Sequence, residues 1–317
     1  MQEPVRKEDA TLKRPLHERP LFMEGLLLLA TMFWGASFVW CADIAACGVD
    51  TNAYVAIRYA LAVLLMLPFF WKDIRRATRQ DWLHGLILGV LYYLCQATQV
   101  WGLQYTTPAN GSFITAAYVV LVPITSWILL KQKAEKSVFL ALPLCLAGLY
   151  VLNMAPGEGV QLNVGNLITL GCAVCWSFQV TYLSYAGRTT KTTLLTILPL
   201  MFASLIAGGA AACTGGFSME GVELKTFLTT VLLLALFPTI GSGLCQGYAQ
   251  KFVPPTKAAV IYTFETVFAC GMSVLLGYDQ PSLRLFVGGG LIVSAIFITQ
   301  VKWPKRKIGE EAKHGTR

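Results

Sequence analysis

From Trp82 to Leu130 the chain carries no Lys, Arg, Asp or Glu, and only a polar knot, Gln104-Tyr-Thr-Thr-Pro-Ala-Asn110-Gly, interrupts the apolar run. A helix needs roughly 20 apolar residues to cross the hydrocarbon core of a bilayer, so this stretch predicts two spans and a tight turn. Long apolar runs alternate with charged or Pro/Gly-rich breaks through the rest of the chain. They predict ten spans, near residues 23–43, 53–71, 82–103, 108–130, 137–153, 164–185, 193–213, 226–249, 257–277 and 284–302. The expected fold is an all-α polytopic membrane protein.

Lys and Arg test this assignment, because they collect on the cytoplasmic side of short loops. With the N-terminal tail placed inside, 22 of the 25 basic residues fall in the tails and the even-numbered loops. The outer segments hold Lys225 and Arg284, Arg58 lies within a span, and the outer loops carry Asp43, Asp50, Glu158, Glu220, Glu223 and Asp279. A missed helix would invert the bias in each later loop. Both termini are therefore expected in the cytoplasm of a cell whose inner (plasma) membrane holds the protein.

The two halves resemble each other. Trp34-Gly-Ala-Ser-Phe38 answers Trp176-Ser-Phe-Gln-Val180 at an offset of 142, and Gln99 with Tyr105–Ile114 answers Gln246 with Phe252–Ile261 at 147. Five spans per half is an odd number, so the second copy must enter the membrane from the opposite side. Two inverted five-helix repeats are the plan of many alternating-access carriers. The expected layout is a cytoplasmic tail at 1–21, repeats at 22–153 and 164–302, and a basic cytoplasmic tail at 303–317.

Composition sharpens this reading. Charged residues make up 13% of the chain against about a quarter in soluble domains. The net charge of +8 sits at span boundaries, which assigns it to topology and excludes nucleic acid as a partner. Of nine cysteines, eight lie in apolar segments and Cys47 in an outer loop, so Cys172-x-x-Cys175 is expected to hold buried free thiols rather than a metal. The first apolar run exceeds a signal-peptide core, so the first twenty residues are expected to be a cytoplasmic arm. No cofactor or metal is expected.

Four motifs carry a family likeness: Trp34-Gly-x-x-Phe38; Arg58-Tyr-Ala-Leu-Ala ending at Pro68; the third-to-fourth junction through Pro123; and Gly247-Tyr-Ala-Gln-Lys251-Phe-Val-Pro-Pro-Thr-Lys-Ala-Ala-Val-Ile-Tyr-Thr-Phe-Glu265-Thr-Val-Phe268. With these the chain resembles the drug/metabolite transporter superfamily, and within it the EamA family of ten-span carriers. The resemblance implies a central cavity and transport of amino acids, metabolites, sugars or drugs. Glu265 is followed by Thr266 where the family has Pro, and Gly277-Tyr-Asp279 stands where Gly-Glu is usual.

Glu265 is the leading site candidate. It lies eight residues into the ninth span, roughly 12 Å from its cytoplasmic entry by helical rise. A carboxylate at the bilayer centre costs at least about 2.5 kcal/mol and should face the bundle interior, as a proton-coupling group, a counter-ion or a structural hydrogen-bonding residue. Arg58 can fork onto a substrate carboxylate, snorkel outward, or hold a gate through Asp43 or Asp50; its depth speaks against a direct pair with Glu265. Tyr118 is the repeat equivalent of Glu265, and Gln99 that of Gln246; at depth these amides read the substrate or tie helices. Trp34, Trp176, Tyr262, Trp101 and Tyr182 can form an aromatic wall or anchor at the interfaces. Gly288-Gly-Gly290 can pack within the fold or form a dimer face, leaving monomer or homodimer open.

The expected function is secondary active transport, with efflux expected, of a small organic metabolite such as an amino acid or amine, the proton being a candidate coupling ion. Two alternatives stand beside it: an intramembrane enzyme, for which His17, His84 and His314 are badly placed and Glu265 is the single deep acid, and a non-transporting scaffold. A channel would show charge rings or filter repeats, which the sequence lacks.

Overall fold

Each long apolar run winds into a helix, because within a bilayer the backbone must satisfy its own hydrogen bonds. The computed structural model describes residues 20–46, 48–103, 105, 114–153, 164–219, 221–275 and 283–300. The Pro108–Ser112 turn, Glu158, Glu220, Asp279 and both tails lie outside the described residues, as do the side chains of Cys41, Asp43 and Cys270. The helices are α1 (Pro20–Ala46), α2 (Thr51–Arg75), α3 (Arg79–Leu103), α4 (Tyr118–Leu130, entered through the helical turn 114–117) and α5 (Lys136–Asn153). In the second half follow α6 (Val164–Ala186), α7 (Thr192–Thr214), α8 (Leu224–Ala249), α9 (Pro255–Tyr262 and Phe264–Leu275) and α10 (Leu283–Gln300).

Local chemistry sets several ends. The Asp50 carboxylate accepts from the Ala53 amide at 3.0 Å and caps α2. Gly215 takes a left-handed φ of 69° to close α7, and Pro255 opens α9 where a missing N–H is harmless. By length and composition five helices suffice to cross a membrane: Pro20–Ser37, Thr51–Arg75, Leu167–Ala186, Thr192–Thr214 and Leu224–Ala249. Ile114–Leu130, Lys136–Val151 and Phe286–Thr299 are shorter apolar helices. α3 is diluted by Gln96, Thr98 and Gln99, and α9 is broken at Thr263.

The main contacts between the halves have two-fold character. α2 packs on α7, α4 on α9 and α5 on α10; α1 packs on α8 and α9, just as α6 packs on α3 and α4. Exchanging the halves maps this set onto itself. Small residues permit the close crossings. A Cβ on Gly89 of α3 would lie 2.6 Å from Phe202 Cβ and 2.9 Å from the Pro199 carbonyl oxygen of α7. Gly148 of α5 meets the Gly288 carbonyl in the same way, so that end of the glycine triplet packs inside the fold.

Polar contacts tie one face of the bundle, the face of the α2–α3, α6–α7 and α8–α9 loops. Asp73 accepts from Lys191 Nζ and from the Thr193 hydroxyl, both at 2.8 Å. Thr190 donates to Asp81 at 2.7 Å, and Lys251 Nζ donates to the Thr190 carbonyl at 3.1 Å. Glu24 of α1 pairs with Lys257 of α9 at 2.6 Å. Beneath this rim Met23, Leu27, Val122, Val138, Ala259 and their neighbours form a buried apolar seal.

Two outcomes are expected. Gly89→Ala should cost about 1–3 kcal/mol by overpacking, whereas Gly171→Ala, with nothing within 4 Å of its Cβ, should be neutral or slightly stabilising; thermal unfolding in detergent compares them. The second concerns Asp81. Burial alone would raise its carboxyl, but hydrogen bonds from Thr190 and Thr78 outweigh it and hold the group below its ordinary value. A depressed folded-state pKa contributes stability above about pH 4 that is lost as pH falls through the folded value. Thr190→Val should therefore unfold earlier than the wild type at pH 7, with the gap narrowing towards pH 3; a gap that ignores pH means Thr190 does not act through Asp81.

Candidate functional site

Helices α1–α4 and α6–α9 line a cavity of about 610 Å³, while α5 and α10 contribute no lining residue. Eight of the ten residues singled out from the sequence line it: Trp34, Arg58, Gln99, Tyr118, Trp176, Gln246, Tyr262 and Glu265. Trp101 and Tyr182 do not. Trp101 is 47% exposed, and Tyr182 hydrogen-bonds His84 at 2.8 Å towards the tied face.

Repeat-equivalent residues meet in pairs around the cavity. Tyr92 and Thr239, Gln96 and Gly243, Gln99 and Gln246, Thr115 and Tyr262, Ala116 and Thr263, and Tyr118 and Glu265 all stand 147 residues apart, and all line it. Beside the last pair both helices break. The Ala117 amide bonds Ile114 and the Val120 amide bonds Ala117; in α9 the Thr263 amide bonds Val260 and the Thr266 amide bonds Thr263. These short i→i−3 links open the regular ladder in the middle of the bundle. Glu265 thereby falls in the first turn of a new helical segment, where the helix dipole favours an acidic side chain.

A second irregularity shapes the opposite wall. Ala235–Gly241 of α8 is a π-helical stretch containing Pro238, which has no amide hydrogen to give. The Trp34 indole donates to the Pro238 carbonyl at 3.1 Å, and the Ser242 hydroxyl bonds the same oxygen. Thr239 donates to the Leu234 carbonyl, five residues back, at 2.7 Å and accepts from Arg58 Nε at 2.8 Å. Arg58 also donates to the Tyr54 hydroxyl at 2.9 Å and lies within 6.0 Å of the Tyr54 and Tyr59 ring centroids. Arg58 is 7% exposed, so among the readings open to it snorkelling is out: its guanidinium is held inside the bundle. Asp50 serves as the α2 cap.

Glu265 is the single acid and Arg58 the single base among the described lining residues. Trp34 and Tyr262 stack edge to face at 5.3 Å, and Tyr92 and Trp176 at 6.1 Å. Three enclosed polar atoms of the wall, Thr115 Oγ1, Gln246 Nε2 and Tyr262 Oη, make no close hydrogen bond among the described residues; Tyr262 and Gln246 approach each other loosely, and Thr115 approaches Cys172. Gln246 Oε1 accepts a long 3.4 Å bond from Tyr92. Tyr54, Tyr59, Tyr92, Gln96, Thr115 and Thr239 were not anticipated as lining residues. For Gln96 a signal exists: it is a polar residue at span depth, one turn before Gln99.

The model of the EamA-like transporter family matches residues 21–154 and 163–301. An uncharacterized transporter of Archaeoglobus fulgidus is 29% identical over 285 residues, covering 89% of this chain and 87% of that protein. Protein LicB of Haemophilus influenzae is 21% identical, with 87% of this chain and 98% of its own covered. The uncharacterized transporter YetK of Bacillus subtilis is 22% identical over 78% of this chain and 77% of its own. A solved crystal structure with 18% sequence identity superposes with a TM-score of 0.74, covering 87% of this chain and 96% of that one, a likeness of fold.

A Cβ on Gly35 of α1 would lie 2.6 Å from Phe268 Cβ and 2.9 Å from the Glu265 carbonyl oxygen. Gly35→Ala must therefore push away the segment that carries Glu265. Ligand affinity should fall at least about tenfold while helix content by circular dichroism stays unchanged; undiminished affinity means the α1–α9 crossing does not position Glu265.

Proposed function

The chain belongs to the EamA-like transporter family, and from this premise we propose that it is a secondary active carrier of a small organic metabolite. Membrane transport as such follows from the family and from the transporters among its relatives. The proposal adds an amino acid, amine or related compound as substrate, alternating access as the mechanism, and the proton as coupling ion. It also adds ten spans with both termini in the cytoplasm of an inner (plasma) membrane protein, supported by the distribution of Lys and Arg.

The observation that carries the reading is the composition of the cavity wall. One carboxyl stands among aromatic rings and loosely bonded polar groups, in a space sized for a small organic solute. An ammonium group can bond Glu265 and rest on the rings of Trp34 and Trp176. The Gln246 amide, Thr115 hydroxyl and Tyr262 hydroxyl can take up the solute's other polar groups. Burial of an unpaired carboxylate is costly, so Glu265 holds either a proton or a cation. Exchange of one for the other couples the two gradients: the carboxyl releases its proton to one side as the ammonium binds, and regains it from the other side once the solute has left.

Counterflow in proteoliposomes with an amino-acid and amine panel tests this. Glu265→Gln should lower amine transport about 10–100-fold, the loss of one charge-assisted hydrogen bond, and flatten its dependence on pH between 6 and 8. Wild-type rates with an unchanged pH profile in the variant would remove Glu265 from the coupling step.

A further inference from the structure

The cavity is symmetric in its middle and lopsided at its ends. Ser37, Ile44, Thr51 and Tyr54 carry its lining outwards to the α1–α2 loop. The repeat partner of Ser37 is Gln179, 142 residues on, and Gln179 is fully buried with no place in the lining. Neither of its polar side-chain atoms, Oε1 and Nε2, makes a close hydrogen bond among the described residues; a looser contact links the amide to the Tyr92 hydroxyl on the cavity wall. Folded proteins hold few such groups, because each unmade bond in a dry interior forfeits the hydration it once had.

Gln179 does not stand alone. Gln250 Nε2 donates to the Val180 carbonyl at 3.3 Å, and the Ser184 hydroxyl donates to the Gln250 carbonyl at 3.2 Å. Gln250 Oε1 is again buried and without a partner. Unsatisfied polar atoms thus lead away from Trp176 on the cavity wall, along α6, towards the face tied by the Asp73–Lys191 and Asp81–Thr190 contacts. Among apolar packing residues such as Val180, Leu183 and Ala249, these amides are out of place for a permanent seal.

The two-fold frame supplies the explanation. If the halves exchange roles, the α6–α7 end opens as the α1–α2 end does here, and Gln179 takes the place that Ser37 now holds. We propose that Gln179, with Gln250 Oε1, is a second polar station of the transport path, dry in this conformation and wetted when the α6–α7 face opens. There it hydrogen-bonds water and the solute on its way between Glu265 and that face. The proposal rests on the alternating-access reading above and adds to it the residues of the path that this conformation hides.

Single cysteines in a background with the nine native cysteines replaced test it, with a membrane-impermeant maleimide as the probe. Gln179→Cys should label from the α6–α7 face alone and Ser37→Cys from the opposite face alone. Asp73→Ala, which weakens the tie on the α6–α7 face, should raise the Gln179→Cys rate and lower the Ser37→Cys rate, each roughly up to fivefold. Ser37→Cys that labels while Gln179→Cys does not, or Gln179→Cys that labels from the Ser37 face, overturns the second station and leaves the cavity reading intact. Failure of both sites to label sinks the alternating-access reading itself. In the otherwise native chain Gln179→Leu should melt no lower than the wild type; a melting point several degrees lower assigns the amide a structural bond and refutes the proposal.

Discussion

No water reaches the hydrocarbon core of a bilayer, so a polar group carried there needs a partner within the protein or a wet hollow to face. In this chain the constraint sorts side chains into three kinds. Thr125 and Thr181 bond each other at 2.8 Å and bind α4 to α6, a closed account with nothing left over. Arg58 is held by Thr239 and Tyr54, its charge fixed in place on the cavity wall. Thr115, Gln246 and Tyr262 are only loosely bonded on the wall of the hollow, and Gln179 is loosely bonded behind it. A soluble fold could send such groups to its surface; here they gather around the hollow.

The frame around that polarity is nearly two-fold, but its chemistry is not. Each contact between α1 and the second half has its counterpart between α6 and the first, and both α4 and α9 break at mid-bundle. Tyr118 and Glu265 then occupy matching places with unlike groups, a weakly acidic hydroxyl against a carboxyl. The frame gives two equivalent openings in principle. The residues set on it differ between the two ends: one rim carries the Asp73, Asp81 and Glu24 contacts, and Ile44, Val49 and Thr51 line the cavity towards the other.

Much of this was legible before any coordinates. Apolar run length located the helices to within a few residues, as 53–71 against Thr51–Arg75 and 193–213 against Thr192–Thr214 show. Polar residues deep within spans singled out Glu265, Arg58, Gln99, Gln246 and Tyr118, all on the wall, whereas of the five aromatics left open between wall and interface only Trp34, Trp176 and Tyr262 line it. The breaks at Ala117 and Thr263 were not legible, since neither position carries Pro or Gly and the interruption arises from packing. Nor were Thr239 and Tyr54 as the partners of Arg58, a meeting of residues 181 apart for the former. Pro238 advertised a kink, but a proline says nothing about which way the chain compensates.

That compensation has a numerical side. An α-helix turns about 100° per residue, whereas a π turn takes up extra chain without a matching advance around the axis. The winding of Ala235–Gly241 therefore sets the azimuth of everything after it, including Ser242, Gly243 and Gln246 on the wall. The extra residue is absorbed there, so its removal would let α8 wind as an ordinary helix with Gln246 still facing the hollow, whereas removal of one residue from the regular turn that follows would swing Gln246 about 100° away. The stretch acts as a slack turn, the place in α8 that can give up a residue without turning the wall away from the hollow.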